Sequence, residues 1–160
     1  MNSRKIFIET LTELAEHDNK IILIAMDVGF SFIEGFKEKF PDRYFNFGVT
    51  EQSTVLVATA LALAGFKPYI YSMINFVIFR PYEQVRNGVC YHNANVKLLG
   101  VSGSEKYKFL GFSHNITKNE DVDALKNMPN IESFVPKTEG EVKEVIMQSY
   151  QSKKPTYIRL

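Results

Sequence analysis

The strand-like run Lys20–Met26, with Ile21-Ile-Leu-Ile-Ala25 at its centre, constrains the fold of this 160-residue chain more than any other feature. It has no polar alternation, so a strand made from it has no face to turn toward water. Strands of that kind are covered on both sides, as in parallel sheets. Similar short runs recur at Tyr69–Met73, Val96–Val101, Ile131–Val135 and Thr156–Arg159, with a brief strand at Tyr44–Phe47. Helical segments separate them. Arg4–His17 carries Ile6, Leu11, Leu14 and Ala15 at helical spacing, and Phe32–Phe40 is stopped by Pro41. Glu51–Ala64 is apolar nearly all round, which predicts a buried helix ending at Gly65. Pro81–Asn93, Asp121–Asn127 and Thr138–Gln151 complete the set. Strands alternating with helices predict an α/β, doubly wound domain over residues 1–160. Its mainly parallel sheet has about six strands, with helices on both faces.

Ligands in such folds sit at the carboxyl ends of the strands. The connections after Met26, Phe47, Met73, Val101 and Val135 therefore matter most, above all the long polar loop Ser102–Asn119. In the second connection, Arg43-Tyr-Phe-Asn-Phe-Gly-Val-Thr-Glu-Gln52 sets one carboxylate, Glu51, at a strand-to-helix junction. Thr50 can cap that helix, and an acid in the first turn is stabilised by the positive helix end. Alternatively, Glu51 is a buried acid with a raised pKa that hands a proton to a ligand nitrogen. Locally both readings stand. In the third connection, Phe76 and Phe79 are two rings three residues apart, either a stacking wall or ordinary packing. His114, in Gly111-Phe-Ser-His114-Asn, is either a solvated loop residue or a proton shuttle. His17 and His92 read as helix-surface residues.

Net charge is +1 with both signs mixed along the chain, which argues against a nucleic-acid or membrane surface. No stretch reaches the roughly 20 apolar residues of a membrane span. The single cysteine, Cys90, excludes an intrachain disulfide and suits a reducing cytoplasm. Thirteen Phe and eight Tyr are either a Phe-rich core or the makings of a large interface. The sequence has no metal-ligand spacing, no glycine-rich phosphate loop and no nucleophile elbow.

Over essentially its whole length the chain resembles the pyrimidine-binding domain of the transketolase family, including deoxyxylulose-5-phosphate synthase. The resemblance rests first on Phe40-Pro-Asp-Arg-Tyr-Phe-Asn-Phe-Gly-Val-Thr-Glu-Gln52. It is supported by Asn75-Phe76, Phe79, Arg80-Pro-Tyr-Glu-Gln-Val-Arg86, Gly111-Phe-Ser-His114, Met128-Pro-Asn130 and Pro155-Thr-Tyr-Ile-Arg159. The likeness implies thiamine diphosphate as cofactor, with Glu51 hydrogen-bonding its aminopyrimidine ring nitrogen. The activated cofactor then carries a two-carbon ketol unit. It implies Phe76 stacking on the pyrimidine with Phe79 beside it, Asp27 near the cofactor, and His114 facing the substrate. Arg4 and Ser31 match residues that hold a substrate phosphate.

Four departures accompany the likeness. Phe109 and Leu110 stand where the family has a Glu-Asp pair whose Asp reads a sugar hydroxyl, Val135 replaces an arginine, and Ser102 replaces a histidine. They leave open a different ketose, an α-keto acid donor or a nucleotide-linked sugar. Nothing in the chain resembles the family's diphosphate- and Mg2+-binding domain or its small C-terminal domain. The resemblance thus implies the smaller subunit of a split transketolase-like enzyme. By family precedent a larger subunit would hold the diphosphate and Mg2+, in an α2β2 heterotetramer. A β-type subunit of an α-keto acid decarboxylase or dehydrogenase, a non-catalytic assembly domain, and a truncated piece of a longer enzyme are the alternatives.

Overall fold

The computed structural model describes residues 2–29, 31–103 and 105–160. A six-stranded sheet runs in the order β2-β1-β3-β4-β6-β5, with every neighbouring pair parallel. The strands are β1 (Ile21–Ala25), β2 (Tyr44–Asn46), β3 (Lys67–Met73), β4 (Lys97–Val101), β5 (Glu132–Phe134) and β6 (Thr156–Arg159). The helices are α1 (Ser3–His17), α2 (Glu34–Lys39), α3 (Glu51–Leu63), α4 (Tyr82–Gln84), α5 (Glu120–Leu125) and α6 (Glu139–Gln151).

The central strands serve two cores through their period-two alternation. Ile22, Ile24, Ile70, Leu98 and Tyr157 face the side covered by α3, the segment 75–90 and α5. Leu23, Ala25, Tyr69, Tyr71, Leu99 and Ile158 face α1, α2 and α6. The doubly wound α/β architecture expected from the sequence is thus observed, with helices on both faces. Because β2 and β3 flank β1, the chain winds both ways from β1, and the sheet opens a crevice at the carboxyl ends there.

Three local expectations need correction. First, α3 is buried on one side only. Thr54, Val55, Ala58 and Thr59 lie inward, while Leu56, Val57 and Leu63 are exposed. Having no polar stripe, the helix cannot turn a polar face to water, so its second apolar face stays uncovered. Second, the Thr50 side chain makes no cap bond. The turn at Gly48 (φ 68°) brings the Phe47 carbonyl within reach, and the Thr50 hydroxyl donates to it at 2.9 Å instead. Third, Pro81–Asn93 is not one α-helix. It holds the short α4 and a wide π-helical turn at Val85–Cys90, and a second π-helical turn, Asn75–Phe79, precedes it. The loop after β4 holds 3-10 turns over Glu105–Ser113.

Candidate active site at the carboxyl edge of the sheet

The connection from β2 to α3 presents Glu51. The backbone reverses at Gly48, and the N–H groups of Gly48 and Asp27 both donate to Asn46 Oδ1 at 3.0 Å. Asn46 therefore ties the end of β1 to the turn before α3. Asp27 sits there exposed, in the left-handed region (φ 53°) that an Asp tolerates. Glu51 opens α3 only 8% exposed, beside a cleft of ≈ 380 Å³ lined by Val49, Thr50, Gln52, Ser53 and Arg80. Its Oε1 accepts a hydrogen bond from Arg80 Nη1 at 2.5 Å. The structure thus gives Glu51 a cationic partner that the sequence pattern does not announce.

Arg80 also lies over the Phe76 ring, 3.9 Å from its centroid. The spacing from Phe76 to Arg80, four residues through a π-helical turn, brings the guanidinium back over the ring. The spacing is plain in the sequence, but there Arg80 stands only as one member of a motif. A guanidinium is flat and carries N–H donors. Glu51 and Phe76 consequently already hold a planar nitrogenous group, one through a charged oxygen and the other through a π-face.

Phe76 extends the chain of contacts to His114, whose ring meets it edge-on at 5.0 Å. Tyr107 stacks on the other side of His114, with centroids 6.2 Å apart. Asn75 joins the two segments: its Nδ2 donates to the carbonyls of Phe112 (2.8 Å) and Asn115 (3.3 Å). Asn115 in turn donates to the carbonyls of Tyr107 and Gly111. Gly103 packs so close to this loop that a Cβ there would fall 2.3 Å from Asn115 Oδ1 and 2.4 Å from the His114 carbonyl. Phe79 is only partly buried and packs on the core beneath, so it does not join the Glu51–Phe76–His114 line.

Arg4 and Ser31 share a second, larger cleft of ≈ 840 Å³ between α1 and α2. Burial pushes the Tyr71 hydroxyl up to about 12, and nearby Arg4 opposes that rise. Tyr71 packs edge-on against Phe32 at 5.0 Å. The loop residues Phe109 and Phe112 are 81% and 78% exposed, and Ser102 is exposed too. At the carboxyl end of β6, the Asp121 carboxylate is fully buried and accepts from Tyr157 Oη at 2.5 Å, pinning α5 to β6.

The parallel α/β sheet thus lines up an acid, an aromatic face and a histidine at its carboxyl edge, where ligands sit in such folds. The chain belongs to the transketolase pyrimidine-binding domain family, whose model matches residues 1–160. It is 30% identical over 158 residues to a subunit of the apulose-4-phosphate transketolase of Phocaeicola vulgatus, covering 98% of this chain and 50% of that one. The corresponding subunit from Actinobacillus succinogenes is 37% identical over 128 residues, covering 80% of this chain and 40% of its own length. The 1-deoxy-D-xylulose-5-phosphate synthase of Desulfitobacterium hafniense strain Y51 is 36% identical over 161 residues, covering 97% of this chain and 24% of the synthase. Among solved structures, a split gene transketolase in the form of an inactive beta4 tetramer superposes with a TM-score of 0.86 at 30% identity. The match covers 99% of this chain and 50% of that one. The chain therefore spans half or less of the length of these relatives.

Proposed function

We propose that this chain is the smaller subunit of a split, thiamine-diphosphate-dependent transketolase-like enzyme that transfers a two-carbon ketol unit. The observation that carries the reading is the Glu51–Arg80–Phe76 arrangement, a buried carboxylate and a ring face that together accept a planar nitrogenous group. Thiamine diphosphate, when bound, supplies the carbon nucleophile of the transfer. Glu51 would hold a proton between its carboxyl and the pyrimidine ring nitrogen. Phe76 would stack on the pyrimidine, and Phe79 would back it from the core. Arg80 must move aside first, because it engages both Glu51 Oε1 and the Phe76 face. Asp27, tied to the same turn through Asn46, would border the cofactor. His114 would exchange a proton with the substrate. Arg4 and Ser31, in their own cleft, would bind an anionic end of it.

The cofactor's diphosphate and Mg2+ would be held by a larger partner subunit, in an α2β2 assembly. The apulose-4-phosphate transketolase relatives are themselves subunits of a divided enzyme, which supports a partner for this chain. The uncovered apolar face of α3, with Phe45 on the edge strand and Phe47 just beyond it, would be the surface for it. Among the described residues no helix is long and apolar enough to cross a membrane. The buried, unpaired Cys90 suits a reducing cytoplasm.

The test is reconstitution with the larger subunit, assayed with thiamine diphosphate, Mg2+ and ketose phosphates beside pyruvate-like donors. The proposal expects ketol transfer that Glu51→Gln abolishes while the variant stays folded. Full turnover in Glu51→Gln would refute the role of the acid. Turnover with pyruvate-like donors alone would move the chain to the keto-acid enzymes.

A further inference from the structure

We infer that Ser113 is a positioning residue that locks the neutral His114 ring as its Nδ1–H tautomer, leaving Nε2 as a proton acceptor. Two contacts of one hydroxyl carry the argument. Ser113 Oγ lies 2.7 Å from the Leu110 carbonyl oxygen and 2.7 Å from His114 Nδ1. A hydroxyl has one proton. The Leu110 carbonyl can only accept, so the Ser113 proton goes there. The contact with His114 must then be supplied by the ring, which requires a proton on Nδ1. In the neutral imidazole the lone pair is therefore on Nε2.

The surroundings hold this geometry in place. Gly111 (φ 56°) lets the backbone reverse, so that the His114 N–H donates to the Gly111 carbonyl. Asn75 grips the loop on either side of His114, at Phe112 and Asn115. Phe76 and Tyr107 fix the ring plane. The ring, held against Phe76, thus keeps Nε2 as its accepting nitrogen. The consequence for turnover rests on the function proposed above, whereas the tautomer does not.

His92 provides an internal reference. Its Nδ1 faces two carbonyl oxygens, Asn87 at 2.9 Å and Gly88 at 3.1 Å, so it too must carry its proton on Nδ1. The third histidine, His17, is exposed at the end of α1.

The deciding measurement is a long-range proton–nitrogen correlation spectrum of the nitrogen-15-labelled chain at about pH 8.5, above the ordinary imidazole range of about 6.5. His17→Gln and His92→Gln assign the signals. The expected result is an Nδ1–H pattern for both His92 and His114. Ser113→Ala should convert His114 alone toward the Nε2–H form, and Ser113→Thr should restore the wild-type pattern. An unchanged His92 signal verifies the fold of each variant. An Nε2–H pattern for His114 in the wild type, or no change in Ser113→Ala, would overturn the inference. In the reconstituted enzyme, Ser113→Ala should lower kcat about tenfold and leave KM within about twofold, as loss of an orienting contact does. A converted tautomer with unaltered kcat would overturn the catalytic consequence. If the enzyme has no activity with any variant or the wild type, the proposed function falls, and the spectrum still decides the tautomer.

Discussion

Helices α3 and α6 are each 13 residues long and lie on opposite faces of the same sheet, yet they are built to different ends. In α6, Val142, Ile146 and Ser149 turn inward against α1 and the sheet, and Glu and Lys face water. Its start is closed by Thr138, whose hydroxyl accepts from the Glu141 N–H at 3.2 Å. That helix is complete within this chain. In α3, only Glu51 is charged, no side chain caps the start, and Val57 and Leu63 are 42% and 60% exposed. One helix devotes its sequence to stability. The other keeps an acid at its tip and an apolar flank uncovered, and so its sequence answers to requirements outside the fold.

Substitutions on the two helices separate these roles. The largest effect is expected at Glu51. Glu51→Gln keeps the shape and removes the charge, so turnover of the reconstituted enzyme should fall by roughly 10²–10⁴-fold. Thermal unfolding should shift little, because only one partly exposed ion pair is lost. Wild-type turnover would collapse the contrast. Next comes Ile146→Ala in α6, a fully buried position. It should cost about 2–5 kcal/mol in denaturant unfolding, with specific activity per folded molecule retained. The matching change on α3, Val57→Lys with Leu63→Lys, should alter stability of the isolated chain by about 0.5 kcal/mol or less per site. It should weaken assembly with the proposed larger subunit, read by analytical ultracentrifugation. Assembly at wild-type affinity would show that the partner docks elsewhere.

The contrast also explains how much is legible in the sequence. The sheet follows from Ile21–Ala25 and its kin, since runs without polar alternation have few ways to be buried. The exposure of α3 is not legible, because an all-apolar helix reads the same whether its cover comes from its own chain or another. Arg80 hides for a related reason. Its meaning depends on a π-helical turn that swings it over Phe76, and a repeat of 3.6 does not announce that turn. Asn75 and Gly103 matter through loop carbonyls, and no pattern in side-chain polarity records those.

Arg80, the partner of Glu51 at the tip of α3, offers a subtler handle on the same helix. Arg80→Ala frees both the Glu51 oxygen and the ring face, so thiamine diphosphate should bind the reconstituted enzyme more tightly, by a few-fold in a titration. In the isolated chain, Arg80→Ala and Glu51→Gln should show a coupling of about 0.5–1 kcal/mol in a double-mutant cycle, as expected for a pair with one exposed member. Additive effects would mean that the pair does not form in solution. Weaker cofactor binding in Arg80→Ala would mean that the guanidinium belongs to the bound state and is not displaced by it.

A contrasting buried charge lies at the other end of the sheet. Lys97 starts β4 with no exposure, and its Nζ donates to the Ser152 and Lys154 carbonyls and to Thr156 Oγ1 at 2.8–3.2 Å. Burial brings its pKa down to about 7, against the opposing pull of Glu132. The unfolded side chain titrates near ~10.4. Below pH 7 both states hold the proton, and stability does not change through this group. Above pH 7 the folded state releases it while the unfolded state keeps it, so stability should rise with pH. Cys90 works the other way, because burial pushes its thiol up to about 12 from an unfolded value near ~8.5. The clean window is therefore from pH 7 to about 8.5, where unfolding free energy should climb in the wild type and stay flatter in Lys97→Met. The slope matters and not the absolute stability, since Met also leaves three oxygens without their donor. Equal slopes would mean that the three oxygens hold Lys97 charged throughout. Lys97 would then keep its charge indoors on three fixed oxygen partners, where the buried Glu51 has one half-exposed cationic partner.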